Sequence, residues 1–237
     1  MKTNRLPIFA LLLQLSFQVI SATPVRASES VSAIYEAGSN RQNLLFRMKR
    51  VNDERKDGST IRNSYLYPDG KEAVTEEIVL ENGKVRSIRI EQKQLGESYS
   101  AVVKDGVVHY SRTADGKTKE SQEDYPDGVL VGAQISGFAA THWDDLMKGE
   151  SRPFRIMVVD RQETFGFKMY KEASESDGQT VTLKIKPSSP FISALVKPIA
   201  FRFDAKTRKL RSVLGRTTPK LRKGDKWTDL DAELVIE

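Results

Sequence analysis

The chain has 237 residues, of which 38% are hydrophobic and 30% charged, a composition that excludes a disordered chain and suits one generous domain able to bury its own core. It contains no cysteine, which excludes disulfides, a lipid-anchored amino terminus, thiol catalysis and cysteine-ligated metals. Half of the formal charge of +6 comes from Lys2, Arg5 and Arg26, and the remaining basic residues alternate with acids, which does not point to nucleic acid.

At the amino terminus, Lys2 and Arg5 precede an apolar run from Leu6 to Ile20, and Val25-Arg26-Ala27 supplies a small-residue cleavage site. This pattern predicts a secretory signal peptide over 1–27, cut after Ala27. Gln14, Ser16 and Gln18 interrupt the run, which is too short to span a membrane, and no later segment could do so. The expectation is a periplasmic protein, with secretion as the alternative. Residues 28–43 read as a flexible leader, and a single β-rich domain is expected over 44–237.

From Leu44 the pattern alternates with a period of two, as in half-buried strands. Leu44, Phe46 and Met48 open it, and Ile61 to Tyr67 follow. Val74–Leu80 and Val85–Gln92 flank Glu81-Asn82-Gly83, and Ser98–Val103 and Val107–Arg112 flank Lys104-Asp105-Gly106. Asn-Gly and Asp-Gly pairs suit two-residue hairpin turns. The polar run from Ala114 to Tyr125 reads as a loop. Ile135, Phe138, Ala139, His142 and Leu146 then fall on one face of a helix within Val129–Met147, weakened by Gly132 and Gly137. Strands resume around Phe154–Val158, Phe165–Met169, Val181–Ile185, Ile199–Phe203, Leu210–Leu214 and Leu230–Ile236, with a short apolar helix at Phe191–Val196. Ten or eleven hairpin-linked strands must curl to bury one apolar face, and the helix is the natural plug. The fold class expected is mainly β: a curved antiparallel meander, a lipocalin-like or lipoprotein-carrier-like half-barrel, wrapped on a central helix.

The run Lys186-Pro-Ser-Ser-Pro-Phe-Ile-Ser-Ala-Leu-Val-Lys-Pro-Ile199 leads into Phe203-Asp204, Arg208-Lys209-Leu210 and Gly215-Arg216, and Trp143-Asp144-Asp145-Leu146-Met147-Lys148-Gly149 lies upstream. This cast resembles a family of exported bacterial proteins, domain-of-unknown-function 3108-like, over roughly Ile61 to Glu237. The resemblance implies a half-barrel around a helix, similar to the periplasmic lipoprotein carriers, and no agreed activity or functional residue.

Candidate chemistry is sparse. His109 alternates within a strand and faces solvent. His142 sits on the apolar helical stripe with Asp145 in reach at i+3, yet one satisfied histidine at a core edge is the better reading than a catalytic dyad. Two histidines without clustered carboxylates make a poor metal site, and neither a Gly-x-Ser-x-Gly elbow nor a phosphate loop occurs. No catalytic residue, metal site or cofactor is expected. The aromatic inner face offers the remaining pointer: Phe138, His142, Phe165, Phe167, Met169, Phe201 and Phe203 either pack as core or line a groove for a lipid or another apolar ligand. The expectation is a non-catalytic envelope protein that binds such a ligand. Its alternatives are an interaction module that docks an envelope protein around a solid core, and a hydrolase centred on His142.

Overall fold

The computed structural model describes residues 26–237, the side chains of Arg26, Ile192 and Leu195 aside. Fifteen strands among these residues hydrogen-bond into one sheet. Eight follow one another as neighbours: β1 (Arg26–Glu36), β2 (Leu44–Arg55), β3 (Gly58–Leu66), β4 (Glu72–Glu81), β5 (Lys84–Gln92), β6 (Glu97–Lys104), β7 (Val107–Ala114) and β8 (Lys117–Asp124). The chain then crosses to the opposite edge, where β9 (Val129–Leu130) lies parallel to β10 (Arg152–Val158). From there β11 (Glu163–Lys171), β12 (Thr180–Pro187), β13 (Ile199–Asp204), β14 (Leu210–Lys223) and β15 (Lys226–Ile236) step back to the centre, each antiparallel to the one before. There β15 pairs antiparallel with β1, and Ser32 faces Ile236. The mainly β, curved antiparallel meander expected from the alternation is therefore present.

Turn chemistry explains the meander. Asn82, Asp105 and Asp115 all take positive φ, near 50°, and each is followed by a glycine at φ between 70° and 77°. Two successive residues at positive φ give the turn whose twist matches that of antiparallel strands. The third of these turns corrects the sequence reading: Ala114 to Tyr125 is not a loop, because Asp115-Gly116 folds β8 back on β7. Strand β8 went unseen because both its faces are wet, so it has no alternation.

The leader expected over 28–43 is likewise a correction. Residues 28–36 belong to β1, at the middle of the sheet between β2 and β15. Its inward side chains include Ser30 and Ser32, which mask the apolar pattern a strand normally shows. The predicted signal segment lies outside the described residues except for Arg26 and Ala27, whose backbones pair with Glu54 and Asp53.

The helix expected over Val129–Met147 is broken into pieces. β9 and a 3₁₀ turn at Gly132–Gln134 precede α1 (Ile135–Thr141) and α2 (Trp143–Met147), which meet at His142. A further short helix, α3 (Pro190–Leu195), sits where the sequence predicts one.

The sheet curls without closing. Tyr65 on β3 and Thr218 on β14 share a hydrogen bond of 3.3 Å across its concave side. Gln162, after β10, donates to the backbone oxygen of Lys119 on β8 at 3.0 Å. Two apolar clusters occupy this concavity on either side. One gathers inward side chains of β2 to β7 with Val129, Val131, Met157 and Val159. The other packs Ile135, Ala139, Trp143 and Leu146 against β10 to β13.

In β14 the ladder to β15 slips between Arg216 and Lys220, around a buried proline, Pro219, that has no N–H to give. The freed backbone of Lys220 finds another partner. The carboxamide of Gln94 accepts from its N–H at 2.8 Å and donates to its oxygen at 3.0 Å.

Candidate functional site

Between the two apolar clusters lies a cavity of about 470 Å³. Its apolar wall comes from both sides: Met48, Ile88 and Ile90 from the first cluster, and Ile185, Phe201 and Val213 from or against the second. The lining reaches solvent at exposed Arg161 and Arg216. There Arg216 stands 2.8 Å from Asp231, Lys220 stands 2.7 Å from Asp229, and Asp160 comes within 3.9 Å of Lys220.

The cavity also carries a built polar row. Cross-strand register places Ser30, Arg50, Asn63 and Glu76 side by side on β1, β2, β3 and β4. Residues directly opposite in adjacent strands share a face, so all four project to the concave side with Met48 and Tyr65. Arg50 Nε donates to Asn63 Oδ1 at 2.8 Å, and Asn63 Nδ2 donates to Glu76 Oε2 at 2.5 Å. Asn63 is 1% exposed, and its amide orientation is dictated by chemistry: a guanidinium offers only donors and a carboxylate only acceptors.

Electrostatics follow from this enclosure. Burial pushes the Glu76 carboxyl above its ordinary range, while the Asn63 hydrogen bond and the Arg50 charge pull it part of the way back. Burial, with the Glu76 charge in support, also raises the Tyr65 phenol well above its usual value, against the opposing pull of Thr218 and Arg50. At the mouth, the hydrogen bond from Lys220 holds the Asp229 carboxyl low, helped by Arg216 and Arg161.

Of the residues predicted from sequence, Phe201 alone lines this cavity. Met169 and Phe203 are sealed in the second cluster with Phe201, and Phe138 and Phe167 pack against it. The Trp143 and Phe203 rings meet edge to face at 5.5 Å, and Phe154 stacks on Phe167 at 6.2 Å. Phe165 is part-buried and pairs across the ladder with Ile156. His142 rests its ring 4.5 Å from that of Phe138. Its Nδ1 is 4.0 Å from Asp145, beyond hydrogen-bonding reach, and Asp145 instead meets Arg152 at 2.7 Å. No nucleophile or second carboxylate is hydrogen-bonded to that histidine among the described residues. His109 is exposed on β7. Among the described residues no cluster of three metal-ligating side chains occurs, and no helix is long and apolar enough to cross a membrane.

The polar row escaped the sequence reading, although the signal was there. In three consecutive strands a polar residue occupies an inward position two residues from apolar ones: Met48/Arg50, Ile61/Asn63/Tyr65 and Val74/Glu76/Ile78. Only the register shows that the three interruptions are neighbours.

No family model matches the sequence, and no curated protein matches it. Among solved structures, the chain is similar to a β-barrel-like protein of domain of unknown function DUF1849 from Brucella abortus, at 10% identity and a TM-score of 0.44. That match covers 90% of this chain and 97% of the other. The finer resemblance to a domain-of-unknown-function 3108-like family gains no support from these comparisons.

Proposed function

We propose that this is an exported envelope protein, acting without catalysis, that holds a lipid or another apolar ligand in the cavity between its two apolar clusters. The observation that carries the reading is the cavity itself, whose volume of about 470 Å³ and largely aliphatic wall match small-molecule sites of roughly 300–1,000 Å³. Such a volume also weighs against a solid core, which the docking-module alternative requires. The lack of a bonded partner for His142 weighs against the hydrolase alternative. Export to the periplasm rests on the charged and apolar pattern of the first 27 residues.

The test is a titration of the purified protein with a fluorescent apolar probe, followed by displacement with fatty acids. Saturable binding that Val213→Trp abolishes without lowering the unfolding midpoint is the expected outcome, because Val213 faces the cavity from β14. A folded wild type that takes up no probe overturns the reading.

A further inference from the structure

We propose that the cavity selects a single-chain amphiphile with a zwitterionic head, its anionic group seated on Arg50 and its primary ammonium on Glu76. The inference rests on the ligand-binding reading above and names the ligand class.

The argument begins with what the polar row lacks. Arg50 and Glu76 carry opposite charges on the same concave face, with one strand between them, yet they form no direct ion pair among the described residues. Asn63 stands between them and spends one side of its carboxamide on each. The link engages only Arg50 Nε and Glu76 Oε2. The two terminal guanidinium nitrogens and Glu76 Oε1 make no hydrogen bond to another side chain or backbone group among the described residues. None of these three atoms is both fully buried and unpartnered, and both residues line the cavity. Donor groups of one charge and an acceptor of the other thus face the same cavity.

Plain packing gives no reason for this arrangement. Charges on the inward face of a sheet cost desolvation, and an apolar row of similar volume would be at least as stable. The raised carboxyl of Glu76 is the local trace of that cost. The row becomes favourable when a bound head group supplies what water would have supplied. An anion alone would satisfy Arg50 and be repelled by Glu76. A cation alone would do the reverse. A head that carries an anion and a hydrogen-bonding ammonium satisfies both at once, and its chain runs along Met48, Ile88 and Ile90.

The test needs no variant to begin. Four twelve-carbon ligands compete, below their micellar concentrations, against an apolar fluorescent probe on the full chain: dodecanol, dodecanoate, dodecylamine and dodecanoyl-lysophosphatidylethanolamine. The zwitterion is expected to bind about tenfold or more tighter than any of the other three. Arg50→Met should bring it down to the level of dodecylamine, and Glu76→Gln to that of dodecanoate, with dodecanol changing far less than the zwitterion in both. Equal affinity for dodecanol and the zwitterion in wild type would overturn the head-group assignment while leaving the cavity reading intact. Dodecanoate binding as tightly as the zwitterion would overturn the role of Glu76. Failure of every ligand and of the probe itself would overturn the cavity reading with it.

Discussion

The two halves of the sheet are made from the same alternating strands and enclose opposite interiors. On the β10 to β13 side, α1 and α2 lay Ile135, Ala139, Trp143 and Leu146 onto an aromatic face, and the result is packed apolar core that meets the cavity only along Ile135, Ile185, Phe201 and their neighbours. On the β1 to β6 side, the cover consists of β9 and the 3₁₀ turns beside it and after β10, and the inward face includes serine, arginine, asparagine and glutamate. Strand alternation decides only which residues point inward. Whether that interior becomes core or cavity depends on what the chain lays over it.

The largest expected effect separates the halves by truncation. Phe203→Ala and Leu183→Ala, both in the sealed half, should lower stability by about 3–5 and 2–5 kcal/mol in denaturant unfolding. Ile90→Ala borders the cavity, so its side chain already lacks neighbours on one side, and its loss should not exceed about 2 kcal/mol. Equal losses would erase the distinction. Next comes the opposite change. Ala139→Leu should overpack the sealed half and cost about 1–3 kcal/mol. Ser32→Leu adds apolar bulk to the cavity wall and should leave stability unchanged or raise it by roughly 0.5–2 kcal/mol, while weakening probe binding. A strongly destabilised Ser32→Leu would mean that the cavity has no room.

The smallest effect concerns Glu76. Its carboxyl is raised in the fold, so the folded state takes up the proton more readily than the unfolded one. The ionised form therefore opposes folding above the folded pKa, and the penalty vanishes as pH falls through that value toward the unfolded one. Glu76→Gln should raise stability by less than about 1 kcal/mol near neutral pH, and the advantage should fade on acidification to about pH 3. Chemical denaturation of both forms at the two pH values measures it. A variant less stable than wild type at neutral pH would make Glu76 a structural group.

Most of the architecture was legible because hairpins announce themselves locally, through Asn82-Gly83 and Asp105-Gly106 and the alternation on either side. β1 and β8 were not. One faces inward with serines, and the other is polar on both faces, so neither shows the contrast that defines a half-buried strand. The candidate site was largely illegible for a related reason. The predicted aromatic residues are real inward residues, but aromatic bulk on a covered face makes core, as Phe203 against Trp143 illustrates. The inward polar row depends on the register of β2, β3 and β4, which no single strand encodes.

The pairing of β1 with β15 places the two ends of the described chain side by side in the middle of the sheet. That seam is a contact of very high sequence separation, and such contacts form late because a long loop must close first. Until it forms, each half of the sheet ends in an unpaired edge, and the cavity between them has only some of its walls. Assembly of the cavity is therefore tied to the last strand of the meander. A nascent chain still lacking β15 stays open along its centre and prone to pairing with other edges.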